Sequence, residues 1–144
     1  FAVVAEIIVF IYVGELFKSF TIKIILIFSL FITAIRWILL AQYGDDFWIL
    51  LFSQLMHAAS FGLYHSASIL FIRQHFDANQ QSRGQALFVG GIYGIGGAIG
   101  AYLAGLFWLD GLGAQTSFNL AAVTVLVGAG FALFIPSNVK YKTK

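Results

Sequence analysis

The chain has 144 residues, of which 60% are apolar and only 10% are charged, and it contains no cysteine. Ordinary soluble domains carry about 25% charged residues, and a soluble fold of this length could not hide so much apolar surface. The composition therefore excludes a soluble domain, disulfide bonds and thiolate metal sites. The scattered Lys and Arg residues do not form the basic patch that nucleic acid requires. We predict an all-α integral membrane protein.

Five apolar runs follow one another along the chain. A bilayer core about 30 Å thick requires about 20 helical residues, and all the runs except the first reach that length. They are too long and too evenly apolar for the strands of a membrane barrel. Because the first run is short, we expect residue 1 to lie inside a longer chain. The predicted spans cover about 1–17, 22–42, 47–72, 84–109 and 116–135, and residues 136–144 form a tail.

The positive charges alternate between the breaks. Seven of the eight Lys and Arg residues lie in the breaks 18–23 and 73–83 or in the tail, and none lies beside Asp45, Asp46 or Asp110. Cytoplasmic loops of membrane proteins are enriched in Lys and Arg. The pattern therefore predicts a multi-pass protein of the inner (plasma) membrane, with residue 1 outside and the C-terminus in the cytoplasm.

Three ionisable residues lie inside the runs rather than in the breaks: Glu6, Arg36 and His57. At 1.5 Å per helical residue, each lies roughly 10–15 Å from a span end, so they form one layer near the bilayer centre. A charge at this depth costs about 2.5–3.5 kcal/mol on insertion scales, and such residues normally pair or face water. The layer is either a proton and substrate site or a Glu6–Arg36 ion pair that fixes helix packing.

The third run carries a polar stripe at helical spacing. Its members recur every three or four residues, and two more polar residues lie at its edges. The stripe consists of Gln54, His57, Phe61, Tyr64 and Ser68, with Ser60 and His65 at the edges. In lipid, a polar face lines a cavity or forms a seam between helices. We favour a cavity in which Gln54, Tyr64 and His65 bind a polar substrate, while a hydrogen-bonded seam is the alternative.

The fourth run is rich in glycine. Gly90 with Gly94, and Gly96 with Gly100, have the small-xxx-small spacing that lets helices pack closely. A dinucleotide fingerprint is rejected, because Ile99 occupies the place of its third glycine and no strand precedes it. We predict helix-packing roles for these glycines and a substrate-binding role for Tyr93 among them.

Enzymatic signatures are missing from the sequence. The three histidines do not have metal-ligand spacing, and no nucleophile elbow occurs in the runs. We therefore predict no metal, no cofactor and no enzymatic activity.

Several segments together resemble the C-terminal half of the major facilitator superfamily. The likeness is closest to the group that contains phenylpropionate permease, lactose permease and the nucleoside proton symporters. It implies that the chain supplies helices 8–12 of a twelve-helix fold, with the N-terminal helices of the same protein missing. The segments that carry it are Leu55–Gly62, Arg73, Arg83–Ala86, Gly97, Gly100, Ala104–Gly105 and the Gly111-Leu-Gly113 turn.

The resemblance also implies roles for the intramembrane residues. Glu6 matches the acid of helix eight that binds substrate, Arg36 matches the arginine of the proton-coupling cluster, and His57 matches the histidine of helix ten. Ser60 departs from the pattern, because the proton-carrying acid of lactose permease occupies that place. Gln54 and Tyr93 stand where that permease has lysines, which argues against lactose itself.

Together these features predict a secondary active transporter, with Glu6, Arg36 and His57 in proton coupling. Its partners would be protons and a small organic solute. An aromatic acid such as phenylpropionate is favoured as the solute, and a sugar or a nucleoside is the alternative. A structural or sensory membrane module without transport is the competing class.

Overall fold

The computed structural model describes residues 2–136, and it describes side chains from Val4 onwards. The tail lysines, on which part of the predicted orientation depends, lie outside the described residues. All regular elements in residues 2–136 are helical. They are α1 (Ala2–Ser19), α2 (Ile22–Tyr43), α3 (Phe47–His75), α4 (Gln81–Phe88), a π-helical segment (Val89–Gly96), α5 (Gly97–Trp108), a short 3₁₀ turn (Leu109–Gly111) and α6 (Ala114–Ala132).

The predicted all-α membrane fold is confirmed. Within the described residues, four helices are long and apolar enough to cross a membrane: Ile22–Tyr43, Phe47–His75, Gln81–Gly111 and Ala114–Ala132. The 18 residues of α1 contain Glu6, Glu15 and Lys18, so this helix is more charged than the others. A crossing by α1, which would make five, stays a prediction.

Side-chain caps fix the starts of two helices. The Thr21 hydroxyl accepts a hydrogen bond from the Ile24 amide (3.3 Å) at the start of α2. A carboxylate oxygen of Asp46 accepts bonds from the amides of Trp48 (2.8 Å) and Ile49 (3.0 Å) at the start of α3. Caps of this kind satisfy amides that have no partner inside the helix. Asp46 is therefore a cap as well as a polar residue in the break between α2 and α3.

The turn between α5 and α6 depends on left-handed backbone. Leu109, Asp110 and Gly111 have positive φ angles of 47°, 55° and 96°. A Cβ atom at Gly113 would collide with the carbonyl oxygen of Phe107. Gly111 tolerates its positive φ angle, and Gly113 the close approach, because neither has a side chain. The Gly111-Leu-Gly113 sequence thus lets the chain reverse within a few residues.

Helix α2 lies at the centre of the packing. It packs against both α3 and α6, while α1 packs against α3. The α2–α6 pair is antiparallel. Gln115 donates to Gln42 (3.2 Å) at one end, the Trp37 and Phe118 rings stack in the middle, and Lys23 donates to the Leu133 carbonyl (2.6 Å) at the other end.

The main apolar core lies where α1, α2 and α3 meet. Phe17 from α1 packs with residues of the first two turns of α2 and with the middle of α3. Burying such side chains stabilises a helix contact even in lipid, chiefly through close packing. The buried members are Phe17, Ile22, Ile25, Leu26, Leu63 and Ala67.

The helix from Gln81 to Gly111 differs from the continuous α-helix that the sequence suggested. Its middle eight residues, Val89–Gly96, are π-helical, with hydrogen bonds one residue longer than in an α-helix. It also begins before Gly84, so Arg83 lies on α4 and Arg73 on the last turn of α3, rather than both in a loop. Apart from Gly84, the described residues of this helix are exposed or half-buried, because few neighbours cover them.

Candidate functional site

Two of the three predicted intramembrane residues meet between α1 and α3. His57 Nε2 lies 3.9 Å from Glu6 Oε1, and their side chains are 38% and 24% exposed. The helices approach closely just beyond this pair, because a Cβ atom built on Gly62 would lie 2.8 Å from Val9 Cγ1. The small size of Gly62 therefore permits the contact that brings Glu6 to His57.

Arg36 makes a different contact from the one expected. Its guanidinium carbon lies 4.2 Å from the centre of the Trp37 ring, an arrangement that attracts a cation to an aromatic face. The residue is only 8% exposed, and its Nε atom has no hydrogen-bond partner among the described residues. Within residues 4–136, Arg36 forms no ion pair with Glu6. The expected Glu6–Arg36 pair is therefore replaced by a Glu6–His57 pair.

A cavity of about 230 Å³ adjoins both Arg36 and His57. It lies between α2, α3 and the π-helical segment. Its lining surface is mainly apolar, and we call it the polar cavity only because Arg36 and His57 adjoin it. Its walls combine hydrogen-bonding groups with aromatic faces, a combination typical of sites for small organic ligands. The lining residues are Leu30, Thr33, Arg36, Trp37, His57, Ser60, Phe61, Tyr64 and Tyr93.

A second cavity of about 340 Å³ lies beside the polar cavity, and the surface that lines it is likewise mainly apolar. Leu30 and Tyr64 line both cavities, so these two residues form the boundary between them. Residues of α6, among them Gly128 and Phe131, close the second cavity on its far side. Together the two cavities therefore extend along α3 from the depth of Arg36 toward the His75 end of that helix.

The π-helical segment contacts α3 through a histidine and a tyrosine. The Tyr93 hydroxyl and His65 Nδ1 lie at hydrogen-bond distance, 3.2 Å. Phe61 stacks on His65, and the Tyr93 ring makes an edge contact with Phe61 and another with Phe88. This aromatic cluster joins the loosely packed helix to α3 at the edge of the polar cavity.

The serines of α3 do not support the alternative of a hydrogen-bonded seam. Ser53 donates to the Leu50 carbonyl (2.7 Å) and Ser60 to the His57 carbonyl (3.3 Å), so both bond within their own helix. Hydroxyl groups in helices commonly satisfy themselves in this way. Among the described residues, His65 at the edge of the stripe does bond to another helix, through Tyr93, so the seam alternative stays open at that position.

The structure brings together some of the predicted substrate-binding residues and separates others. Tyr64 and Tyr93 line the polar cavity, while His65 does not line it but contacts its lining residues Phe61 and Tyr93. His65 also lines a separate groove with Phe17 and Arg73. Gln54 is exposed and lines neither the polar cavity nor the apolar one.

The glycines of the fourth run have no described neighbour to pack against. Nothing lies within 4 Å of a Cβ atom built on Gly90, Gly94 or Gly100, and Gly96 meets only the Gly91 carbonyl oxygen of its own helix. The predicted close helix packing is therefore not formed by residues 4–136. It stays a prediction that requires a helix outside them.

Two contributors to the site were missed from the sequence. Trp37 supplies the face against Arg36, and Phe88 joins the aromatic cluster. The position of Trp37, directly after an intramembrane arginine, is a signal that could have identified it, since Trp is the strongest cation–π partner. The described residues contain no cluster of three or more His, Asp or Glu side chains that could hold a metal.

Long apolar helices that surround a small layer of ionisable groups define a polytopic membrane protein with a solute-sized cavity. Residues 1–120 match the family described as "MFS_1 like". The chain belongs to this family, and its predicted place in the major facilitator superfamily is confirmed.

A relative in Escherichia coli (strain K12) is its xanthosine permease, 30% identical over 127 residues. The alignment covers 82% of this chain but 28% of that permease, so the chain spans little more than a quarter of the relative's length. No solved structure matches the chain significantly. Because the family and the relative are transport proteins, the prediction of a non-enzymatic protein is confirmed.

Proposed function

We propose that this chain forms helices 8–12, the C-terminal part, of a proton-coupled nucleoside symporter of the inner membrane. The observation that carries the proposal is the Glu6–His57 pair beside a cavity that Arg36 and four aromatic rings line. A proton carrier needs an ionisable group within the membrane, next to the place where the solute binds. This arrangement meets that requirement with residues from three different helices.

The similarity to a nucleoside permease favours a nucleoside over the aromatic acid that the sequence favoured. The relative is a xanthosine permease, which gives no support to an aromatic acid such as phenylpropionate. A nucleobase is planar and polar at its edge. The rings of Phe61 and Tyr93 offer aromatic surface for such a plane, and Arg36 and His57 offer groups for its edge.

Glu6 is the proposed proton carrier. Ser60 stands where lactose permease has its proton-carrying acid, and its hydroxyl bonds to the His57 carbonyl of its own helix. That leaves Glu6 as the acid of the intramembrane layer. Its protonation removes the negative charge that faces His57 and so weakens the contact between α1 and α3. A change in this contact favours either the outward-facing or the inward-facing state of the carrier. The two halves of the carrier exchange these states by rocking around a midplane site.

The remaining features of the proposal concern the whole carrier. The C-terminus lies in the cytoplasm, because Lys18, Lys23, Arg73 and Arg83 lie at helix ends that flank alternate connections. Helices that precede this chain complete the solute site. They also cover the glycine-rich face of the helix from Gln81 to Gly111, which few described residues contact.

The test is uptake of radiolabelled xanthosine by the full-length protein in vesicles with an inward proton gradient. We expect the vesicles to accumulate xanthosine. Excess unlabelled nucleoside should block this accumulation, and excess phenylpropionate should leave it unchanged. Block by phenylpropionate alone would restore the aromatic acid as the solute. Absence of any nucleoside accumulation would contradict the proposal.

A further inference from the structure

Arg36 is a buried cation without a described counter-ion. The residue is 8% exposed, its Nε atom is buried without a hydrogen-bond partner, and no carboxylate of residues 4–136 lies within ion-pair distance. The acid of the intramembrane layer, Glu6, contacts His57 instead. Buried charges in proteins are almost always paired, since leaving one unpaired is strongly destabilising.

The surroundings of Arg36 hold the side chain in place without satisfying its donors. The Trp37 face, 4.2 Å from the guanidinium carbon, attracts the positive charge but accepts no conventional hydrogen bond from the planar fork of N–H groups. The residue also lines the polar cavity. A guanidinium fixed on an aromatic face beside a solute-sized cavity is prepared to receive acceptor atoms from a ligand.

We propose that Arg36 is a specificity-determining residue that binds the acceptor-bearing edge of the nucleobase. This inference rests on the proposed nucleoside transport and adds which bases are preferred. A guanidinium donates in a planar fork and therefore favours carbonyl oxygens or an anionic ring edge in the plane of the base. The preferred solutes are nucleosides whose base has ring carbonyl groups, in the order xanthosine, inosine and purine riboside.

Two other roles for Arg36 make different predictions. If Arg36 only tunes proton release, its loss impairs accumulation but leaves the relative affinities of the nucleosides unchanged. If an acid from outside the described residues pairs with it, its loss weakens every nucleoside alike through a disturbed helix contact. Only a direct contact with the base makes the decrease in affinity, on removal of Arg36, depend on the carbonyl groups of the solute.

The experiment is nucleoside counterflow in proteoliposomes that contain the full-length protein, without a proton gradient. Exchange of this kind reports binding and reorientation without net proton movement. The KM values of xanthosine, inosine and purine riboside are measured for the wild type and for Arg36→Gln and Arg36→Lys. Arg83→Gln, which removes an exposed arginine on α4 away from the cavity, is the matched control.

In the wild type, KM should rise from xanthosine to purine riboside. Arg36→Gln should raise the KM of xanthosine by about tenfold or more relative to that of purine riboside, as expected for a lost hydrogen bond to a charged group. Arg36→Lys should recover part of the preference, because an ammonium keeps the charge but not the fork. Arg83→Gln should leave all three values unchanged.

Two results would overturn the inference in distinguishable ways. If the wild type exchanges nucleosides but Arg36→Gln and Arg36→Lys change all three KM values by the same factor, Arg36 does not read the base, and the proposed function still stands. If the wild type exchanges none of the three nucleosides, the proposed function fails, and the inference fails with it.

Discussion

Glu6 Oε1 lies 3.9 Å from His57 Nε2 and thereby joins α1 to α3 inside the apolar part of the molecule. Among the described residues, this is the one carboxylate–imidazole contact between two helices, since the ion pair of Lys18 and Glu15 lies along the surface of α1. Charged groups inside a membrane protein are expensive and are usually tied to its function. The pair is therefore the part of the structure on which the proposed proton coupling depends most.

Replacing Glu6 by Gln should abolish accumulation of nucleoside against its gradient while it preserves exchange. The amide keeps the size and hydrogen-bonding capacity of the carboxyl group but cannot carry a proton. Accumulation and counterflow are measured in the same vesicles. Glu15→Gln, which changes an exposed acid of the same helix, is the control and should behave like the wild type. Full accumulation by the Glu6→Gln protein would remove Glu6 from the mechanism.

Replacing Tyr93 by Phe should loosen the π-helical segment from α3, because the variant lacks the hydroxyl that lies 3.2 Å from His65 Nδ1. A neutral hydrogen bond contributes about 0.5–1.5 kcal/mol, and the partial exposure of both residues places the effect toward the lower end. The measurement is a double-mutant cycle with His65→Phe, read as thermal stability of the purified protein.

The control for Tyr93 is Tyr102→Phe, since Tyr102 on α5 is largely exposed and makes no hydrogen bond with described residues. It should be neutral. Additive effects of the Tyr93 and His65 changes would show that the two side chains do not interact.

Replacing Gly62 by Ala should destabilise the protein by about 1–3 kcal/mol, as overpacking typically does. The new methyl group would lie 2.8 Å from Val9 Cγ1, so α1 would have to move away from α3. The same shift would separate Glu6 from His57. The expected result is therefore a lower melting temperature together with reduced accumulation, and unchanged values of both would contradict the close contact.

Gly94→Ala makes the same substitution as Gly62→Ala at a glycine with open surroundings. No described atom lies within 4 Å of the added methyl group. If a preceding helix packs on this face, as proposed for the whole carrier, Gly94→Ala should also lower the melting temperature of the full-length protein. A neutral effect would show that the predicted helix-packing role of Gly94 is wrong.

Replacing Asp46 by Ala should destabilise the start of α3 by about 1 kcal/mol, the usual loss for an N-cap. The carboxylate accepts from two backbone amides, those of Trp48 and Ile49, which would lose their partner. Asp45→Ala removes the neighbouring charge without removing a cap and is the control. Equal melting temperatures for the two variants would contradict the capping role of Asp46.

Features that depend on a single helix could be predicted from the sequence. Run length and hydropathy determine which segments are helical, because in lipid the backbone must satisfy its own hydrogen bonds. Helical spacing likewise placed His57 and Tyr64 on one face, and both line the polar cavity. Gln54 belongs to the same stripe but lies on a part of α3 where neighbours leave it exposed.

Features that depend on how helices are rotated against each other could not be predicted. Counting residues gives the depth of Glu6, Arg36 and His57 but not the direction in which each side chain points. For this reason the sequence paired Glu6 with Arg36, whereas the structure pairs it with His57. The π-helical segment was missed because its glycines have no side chains that would select one helical geometry over another.

The most direct test of proton-coupled nucleoside transport is the pH outside vesicles that contain the full-length protein. Xanthosine is added outside the vesicles without an imposed proton gradient, and the external pH is recorded. The account predicts immediate alkalinisation, because protons enter with the solute, and it predicts none with the Glu6→Gln protein. Xanthosine entry without a pH change in the wild type would contradict the account.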